Sequence, residues 1–351
     1  MTERITLSID AMGGDHGIKS TVPAAIFALK EHPELDVILV GDEKRLKKAL
    51  KLYKSAKFDH RIVIQHASEV VAMEESPAVA LRNKKDSSMR VAINLVKDTK
   101  ADACVSAGNT GALMATSRFV LKTLADIDRP AIVYPMPGMN KESGQMKSTY
   151  MLDLGANVNC TSEQLFQFAV MGSILVSAVT GNDRPRVGLL NIGEEDMKGL
   201  DSIKQASKML YATDSINYVG FVEGNDIFFD RADVVVCDGF VGNVALKTTE
   251  GVASLISKII KDAFSSSLLS KLSLLCAAPV LRKIKKRLDT RQYNGGTFLG
   301  LRGIVIKSHG GADASAFATA ITEAIKEVKK DVPNQIQAEV GTLLQRMQEE
   351  E

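Results

Sequence analysis

"ADACVSAGNTGALMATSRFVLKTL", residues 101–124, sets a short apolar run, a glycine turn and a helix-like stretch in immediate succession. Gly108 and Gly111 let the chain turn tightly and approach a ligand closely. Asn109 and Thr110 offer hydrogen bonds or a helix N-cap. The plan recurs: "RITLSID" precedes "AMGGDHG", "LDVILVG" precedes "DEKRLKKAL", "TYMLDLG" precedes "ANVNCTSEQ", and "RVGLLNIG" precedes "EEDMKG". "ADVVVCDG" and "RGIVIKSHG" repeat it. Strands alternating with helices imply parallel pairing. The runs are continuously apolar, as in strands covered on both faces. The expected fold is therefore α/β, a mostly parallel sheet between helical layers.

The 351 residues leave room for two domains or one large α/β unit, and residues 1–351 are read as one. A net charge of +2 gives no global signal for nucleic acid. Cys104, Cys160, Cys237 and Cys276 form no C-x-x-C pair, so a disulfide framework or thiolate zinc site is not expected, and a reducing cytosol is. Cys104 and Cys237 sit inside apolar runs and read as buried hydrophobes. The chain enters a strand pattern at once, without a signal-peptide pattern. No uninterrupted apolar run approaches the roughly 20 residues that span a bilayer. A cytoplasmic protein is expected, able to touch a membrane but not to cross it.

In a parallel sheet the C-terminal strand ends share one edge, where open α/β sheets bind ligands. Glycine also simply ends strands and caps helices. That bland reading explains less well why so many of these turns carry Asp, Asn or His. The shared-edge reading brings together Asp10, Gly13, Gly14, Ser106, Gly108, Asn109, Asp153, Gly155, Asn157, Gly193, Glu195, Asp238, Gly239, Asn243, His309 and Gly310. A helix opening at "SAGNTGA" aims N–H groups and a positive dipole end at an anion, although it is neither G-x-G-x-x-G nor a Walker A loop. Lys198, with Glu194 and Glu195 beside it, reads as an anion ligand or as part of an acidic helix start. Lys307 and His309 read as phosphate ligand and proton donor. "DGFVGNVALK" reads as a further glycine-rich turn carrying Asn243 and Lys247. Arg82, Lys84 and Lys85 form a basic patch before a Ser-capped helix. There is no G-x-S-x-G, no H-E-x-x-H and no activated cysteine, so a covalent enzyme intermediate is disfavoured. Two carboxylates beside glycines are weak evidence for a metal, and none is expected.

Residues 251–289 break the alternation. They read as a protruding helical hairpin with a leucine-rich tip, including Leu268, Leu269 and Leu272. A basic flank follows, including Lys283, Lys285 and Lys286. That make-up suits an interfacial membrane element, a docking hairpin or a subunit interface.

"DAMGGD", "SAGNTGA", "DLGAN", "NIGEEDMKG", "GFVEGNDI", "DGFVGNVALK", "NGGTFLGLRG" and "KSHGGAD" occur in this order from end to end. Together they resemble the bacterial acyl-acyl-carrier-protein:phosphate acyltransferase (PlsX) family. The resemblance implies a Rossmann-like α/β/α sandwich and a homodimer without a cofactor. It implies that inorganic phosphate attacks a long-chain acyl thioester on acyl carrier protein, giving acyl phosphate for phospholipid synthesis. A downstream membrane acyltransferase then takes the product. For that chemistry Gly13, Gly14, Ser106, Gly108, Asn109, Thr110, Gly111, Asn157 and Gly310 are expected to bind phosphate or substrate. Lys198 is expected to stabilise charge, His309 to protonate the thiol or hold phosphate, and Asn243 to assist. Arg82, Lys84, Lys85 and the hairpin residues are expected to meet the acidic carrier or the membrane. The alternatives are a metal- and nicotinamide-dependent dehydrogenase of related fold and a membrane-docked scaffold without catalysis.

Overall fold

The computed structural model describes residues 4–267, 270, 273–274, 277–281 and 290–349. The expected Leu268, Leu269, Leu272, Lys283, Lys285 and Lys286 contacts lie outside these described residues. The strands are β1 (Ile5–Asp10), β2 (Leu35–Gly41), β3 (Ile62–His66), β4 (Ala103–Ser106), β5 (Ala131–Met139), β6 (Met146–Leu152), β7 (Arg186–Leu190), β8 (Asn217–Val222), β9 (Val234–Val236), β10 (Gly296–Leu299) and β11 (Ile304–Lys307). They form one eleven-stranded sheet in the order β3-β2-β1-β4-β11-β10-β5-β6-β9-β7-β8. Pairing is parallel except at β11–β10, β10–β5 and β5–β6. The expected mostly parallel α/β sheet is what the chain forms.

The helices are α1 (Ile18–Glu31), α2 (Glu43–Leu52), α3 (Pro77–Asn83), α4 (Ser88–Lys97), α5 (Thr110–Leu121), α6 (Ser162–Thr180), α7 (Asp201–Tyr211), α8 (Gly239–Ser265), α9 (Ala314–Lys329) and α10 (Val332–Glu349). Successive strand residues face opposite layers. Ala103 and Val105 join a core with Val22, Leu29, Phe317 and Ile321 of α1 and α9. Cys104 between them joins Met89, Ile93 and Leu113 of α4 and α5. This two-sided burial is why the strand runs are continuously apolar. In the other half, Val187, Leu189, Val234 and Val236 pack with Phe166 and Phe168 of α6 and Ile336 of α10. Among the described residues α6 alone is long and apolar enough to cross a membrane, but 67% of its apolar window is buried inside the protein.

Two hairpins interrupt the parallel plan. One joins β10 to β11, and the other joins β5 to β6, where Asn140 Oδ1 accepts from Ser143 N at 2.8 Å. Pro135 and Pro137 lie on β5 beyond its pairing with β10, where only β6 is a neighbour and a missing N–H is tolerated. The three antiparallel pairings reverse the second half. β6, β9, β7 and β8 run opposite to β1, β2, β3, β4 and β11. The C-terminal strand ends therefore lie on two opposite edges, which corrects the expectation of one shared edge.

"DGFVGNVALK" is also corrected. It is the start of α8, capped by Asp238, whose Oδ1 accepts from Val241 N at 2.9 Å. Its glycines serve close packing: a Cβ on Gly239 would lie 2.6 Å from Asn157 O, and one on Gly242 would overlap Asp153 O. α8 then runs 27 residues, roughly 40 Å, and stops at Ser265, at the head of a run of three serines.

Glu327 on α9 is buried. One carboxyl oxygen accepts from Thr297 Oγ1 and the other has no hydrogen-bond partner among the described residues. Burial raises its pKa well above the ordinary 4.5, so the folded state holds the proton more tightly than the unfolded. Its contribution is complete below about pH 4.5 and is lost as pH rises toward the folded value, by at most about 1.4 kcal/mol per pH unit. Glu327→Gln should add a pH-independent offset and abolish that slope. The stability difference between the two proteins, measured by urea unfolding from pH 4.5 upward, should shift toward the variant as pH rises.

Candidate active site

β1, β4 and β11 are adjacent and parallel, so they end side by side, and each leads into a helix: α1, α5 and α9. Three helix N-termini, with their positive dipole ends, therefore open on one edge, those of α5 and α9 capped by Asn109 and Asp313. The buried Asp10 ties the turns together. Its carboxylate accepts from Ser88 Oγ at 2.6 Å, Ser106 Oγ at 2.7 Å and Gly13 N at 3.2 Å. Ser106 Oγ in turn accepts from Gly108 N at 3.0 Å. Burial pushes the Asp10 pKa up, and these hydrogen bonds oppose it. Gly14 has φ +83°, and a Cβ there would lie 2.8 Å from Ala107 Cβ and 2.9 Å from Gly310 O. Asp15 N donates to that same Gly310 O at 2.9 Å. Three turns thus meet where only glycine fits.

Lys307, at the end of β11, is buried, and its Nζ donates to Ala107 O at 3.4 Å and to Ser308 O. Burial pushes its pKa down to about 8, opposed by Asp15 and Asp10. Next to it His309 is largely exposed. Its Nδ1 accepts from Gly311 N at 3.1 Å, which leaves Nε2 to carry the proton, 3.9 Å from Glu250 Oε1 on α8. Lys247, one turn before Glu250, holds the other Glu250 oxygen at 2.8 Å. Asn294 holds the loop from below. Its Nδ2 donates to Ser308 Oγ at 2.8 Å and Ala316 O at 2.7 Å. Its Oδ1 accepts from His309 N at 2.9 Å and Tyr134 Oη at 3.2 Å. Burial pushes the Tyr134 pKa up to about 12, so that hydroxyl remains a donor.

The other edge has a different character. The buried Asp153 accepts from Ile132 N at 2.9 Å, Ala156 N at 3.1 Å, and Asn157 N and Nδ2 at 2.6 and 2.9 Å. Asn157 Nδ2 also donates to Pro130 O at 2.9 Å. The N–H groups of the Asn157 side chain are thereby committed to the loop. The Asn109 side chain is committed likewise. Its Oδ1 accepts from Ala112 N at 2.9 Å to cap α5, and its Nδ2 donates to Glu75 O at 3.1 Å and to Met73 O. What remains open at that turn is the main chain of Thr110 and Gly111. Lys198 is on the second edge, beside Glu195 Oε2 at 2.8 Å, on a loop that Asn191 braces through Gly193 O and Lys198 O, both at 3.1 Å. Asn243 lies against Gly155 on the exposed side of α8. Lys198, Asn243 and His309 are therefore not gathered on one edge. Asn243, Lys247 and Glu250 do share one helix face, since their spacing is i, i+4, i+7. The first and last of them are seven residues, roughly 10 Å, apart along α8.

A family model described as "Fatty acid synthesis protein" matches residues 5–335. A phosphate acyltransferase of Francisella tularensis subsp. tularensis is 59% identical over 344 residues, covering 96% of this chain and 99% of its own length. The subsp. novicida protein of the same name matches equally. The chain belongs to the PlsX family of phosphate acyltransferases. Members transfer an acyl group to phosphate to form acyl phosphate, and this chain is an enzyme of that activity. That outcome displaces the dehydrogenase and scaffold alternatives. The fold is shared more widely. A phosphotransacetylase of Streptococcus pyogenes superposes with TM-score 0.62 at 15% identity over 94% of this chain and 95% of that one. A branched-chain phosphotransacylase of Enterococcus faecalis gives 0.56 at 16% over 93% and 99%. A 4-hydroxythreonine-4-phosphate dehydrogenase of Klebsiella pneumoniae gives 0.51 at 14% over 93% and 98%, a likeness of fold alone.

For a PlsX enzyme the first edge has the right equipment. Helix N-termini, a buried lysine and an imidazole can orient a phosphate, and the donors are fixed before it arrives. Residue reasoning did not single out Asn294, Tyr134 or Glu250. Asn294 stood inside the quoted "NGGTFLGLRG", but nothing local showed that its amide reaches the next strand's turn. Asn294→Asp keeps the shape and removes both N–H donors, at a cost of about 1–3 kcal/mol. It should lower kcat about tenfold or more in the folded enzyme and raise the KM for phosphate. Thermal melting and phosphate titrations of rate check both.

Proposed function

We propose that the acyl donor is a long-chain fatty acyl thioester on acyl carrier protein and that inorganic phosphate binds at the first edge. The single observation that carries the phosphate assignment is the set of three helix N-termini around the buried Lys307. Gly13, Gly14, Gly108 and Gly310 let the turns beside it pack closely, and Ser106 Oγ holds Gly108 N. Main-chain N–H groups of Thr110 and Gly111, together with Lys307, hold the anion. A phosphate oxygen attacks the thioester carbon, the tetrahedral oxyanion collapses, and the C–S bond breaks to release the carrier thiolate. His309 Nε2–H stabilises phosphate or gives the thiolate its proton. A thiolate with an ordinary pKa of about 8.5 leaves with little acid help, so positioning and charge stabilisation are the main tasks. Lys198 and Asn243 approach the thioester from the second edge, across the α8 face that leads to Glu250. No cofactor or metal takes part. Purified enzyme given palmitoyl-acyl carrier protein and labelled phosphate should form labelled acyl phosphate with stoichiometric free carrier. Lys198→Ala should lower that rate at least tenfold with little change in melting temperature. Phosphate-independent release of carrier, or a near-normal Lys198→Ala rate, counts against the corresponding assignment.

We also propose a cytoplasmic homodimer that docks on the inner face of the cell membrane and hands acyl phosphate to a membrane acyltransferase. Val252, Leu255, Ile256 and Ile259 of α8 are exposed, an apolar face suited to a second copy. Leu268, Leu269 and Leu272, with Lys283, Lys285 and Lys286, have the composition for anionic lipid. Arg82, Lys84 and Lys85 suit the acidic carrier. Reversing charge at Lys283, Lys285 and Lys286 should weaken sedimentation with anionic vesicles and spare turnover in solution. Sedimentation unchanged by the reversal assigns the hairpin to another contact.

A further inference from the structure

Some lysines on this surface have a carboxylate partner, and many of the described ones do not. Lys47, Lys147, Lys198, Lys204, Lys247, Lys326 and Lys329 are all ion-paired. What sets the layer of α3, α4 and α5 apart is that its cations gather around one exposed aromatic ring. Among the described residues and their ion pairs, Arg82, Arg90, Arg118, Lys122 and Arg302 have none with a carboxylate. The cations are contiguous. Arg90 Nη1 donates to Leu81 O at 3.0 Å, which sets it against α3 beside Arg82. Arg302 donates from N to Lys122 O at 3.1 Å and from Nε to Thr123 O at 2.9 Å, beyond the end of α5. At the centre stands Phe119, 52% exposed, with Arg90 5.3 Å and Lys122 4.9 Å from its ring centroid. The molecule as a whole carries only +2, so this charge is local.

We infer that the α3–α5 surface is a docking face for an acidic protein, with Phe119 as its apolar anchor. Unpaired cations keep their full attraction for a partner's carboxylates, and they cost nothing in broken ion pairs when it binds. A single aromatic set among Arg side chains matches the composition of protein–protein hot spots. An element inserted in a lipid surface would present a continuous apolar face, and this patch offers one ring. The inference rests on the carrier-borne donor proposed above and extends it. α5 begins at the candidate phosphate turn and ends at this patch, twelve residues or roughly 18 Å away. A carrier delivers its thioester on a long flexible arm, so its body docks at a distance from the reacting carbon.

The test compares two donors in the same enzyme: the acyl group on carrier protein and the same acyl group on free pantetheine. Arg118→Glu combined with Lys122→Glu should raise the KM for the carrier-borne donor about tenfold or more. Phe119→Ala should raise it about threefold to tenfold. kcat, and all turnover of the pantetheine thioester, should stay within about twofold, which shows that the variants are folded. Equal loss on both donors, or no change on either, overturns the docking face while leaving the acyl transfer reading intact. A loss of binding to anionic vesicles with the carrier KM unchanged assigns the patch to lipid and overturns it too. Unaltered enzyme that uses pantetheine thioester but not the carrier-borne donor overturns the proposed donor and this surface together.

Discussion

The organisation of the molecule depends on a reversal of strand direction at the middle of the sheet. β10 enters antiparallel between β11 and β5, and β6 turns back on β5. Each half keeps the parallel plan, with helices on both faces, but the two halves point opposite ways. Ligand-binding turns follow strands, so the reversal separates them into two groups. One group, after β1, β4 and β11, has three helix N-termini and a buried lysine. The other, after β6, β7 and β9, has buried carboxylate–amide knots and a braced lysine loop. α8 links them, starting against Asp153 and passing His309 at Glu250.

The two edges use buried carboxylates in similar ways. Asp10 and Asp153 are both desolvated, and both take their hydrogen bonds from turns that would otherwise be free to move. Neither is spare for catalysis, because its acceptor sites are spent on local N–H and O–H groups. They make the turns rigid. A site that orients an anion needs that rigidity, since donors already in place need not reorganise when charge develops.

The helical layers, many of the strands and the glycine turns that follow them were legible in the sequence because each depends on local pattern, whereas β5 and β10 were not read as strands. Continuous apolar runs at β4 and β11 imply two covered faces, and the glycines after them imply turns. The reversal was not legible, because "NGGTFLGLRG" shows a glycine turn without showing which strands flank it. The fates of Asn109 and Asn157 were hidden for a related reason. The N–H groups of an amide in a glycine turn look free until the distant chain that they bind, Met73 to Glu75 or Pro130, is placed beside them. Gly239 and Gly242 looked like turn formers, and only the Asp153 loop pressing on α8 shows that they are clearances. The family resemblance supplied the reaction. The geometry then divided the candidate residues between two edges.

The close seat of Gly242 on the Asp153 loop has a mechanical consequence. A side chain at Gly242 would collide with the loop main chain, so the helix cannot shift there without lifting off it. α8 beyond this point is a lever. Glu250 lies eight residues from Gly242, and Ser265 lies twenty-three. In a stiff helix, a sideways step at the outer end reaches Glu250 at about a third of its size. A force applied where the helix leaves the body of the protein is thereby geared down and delivered beside His309.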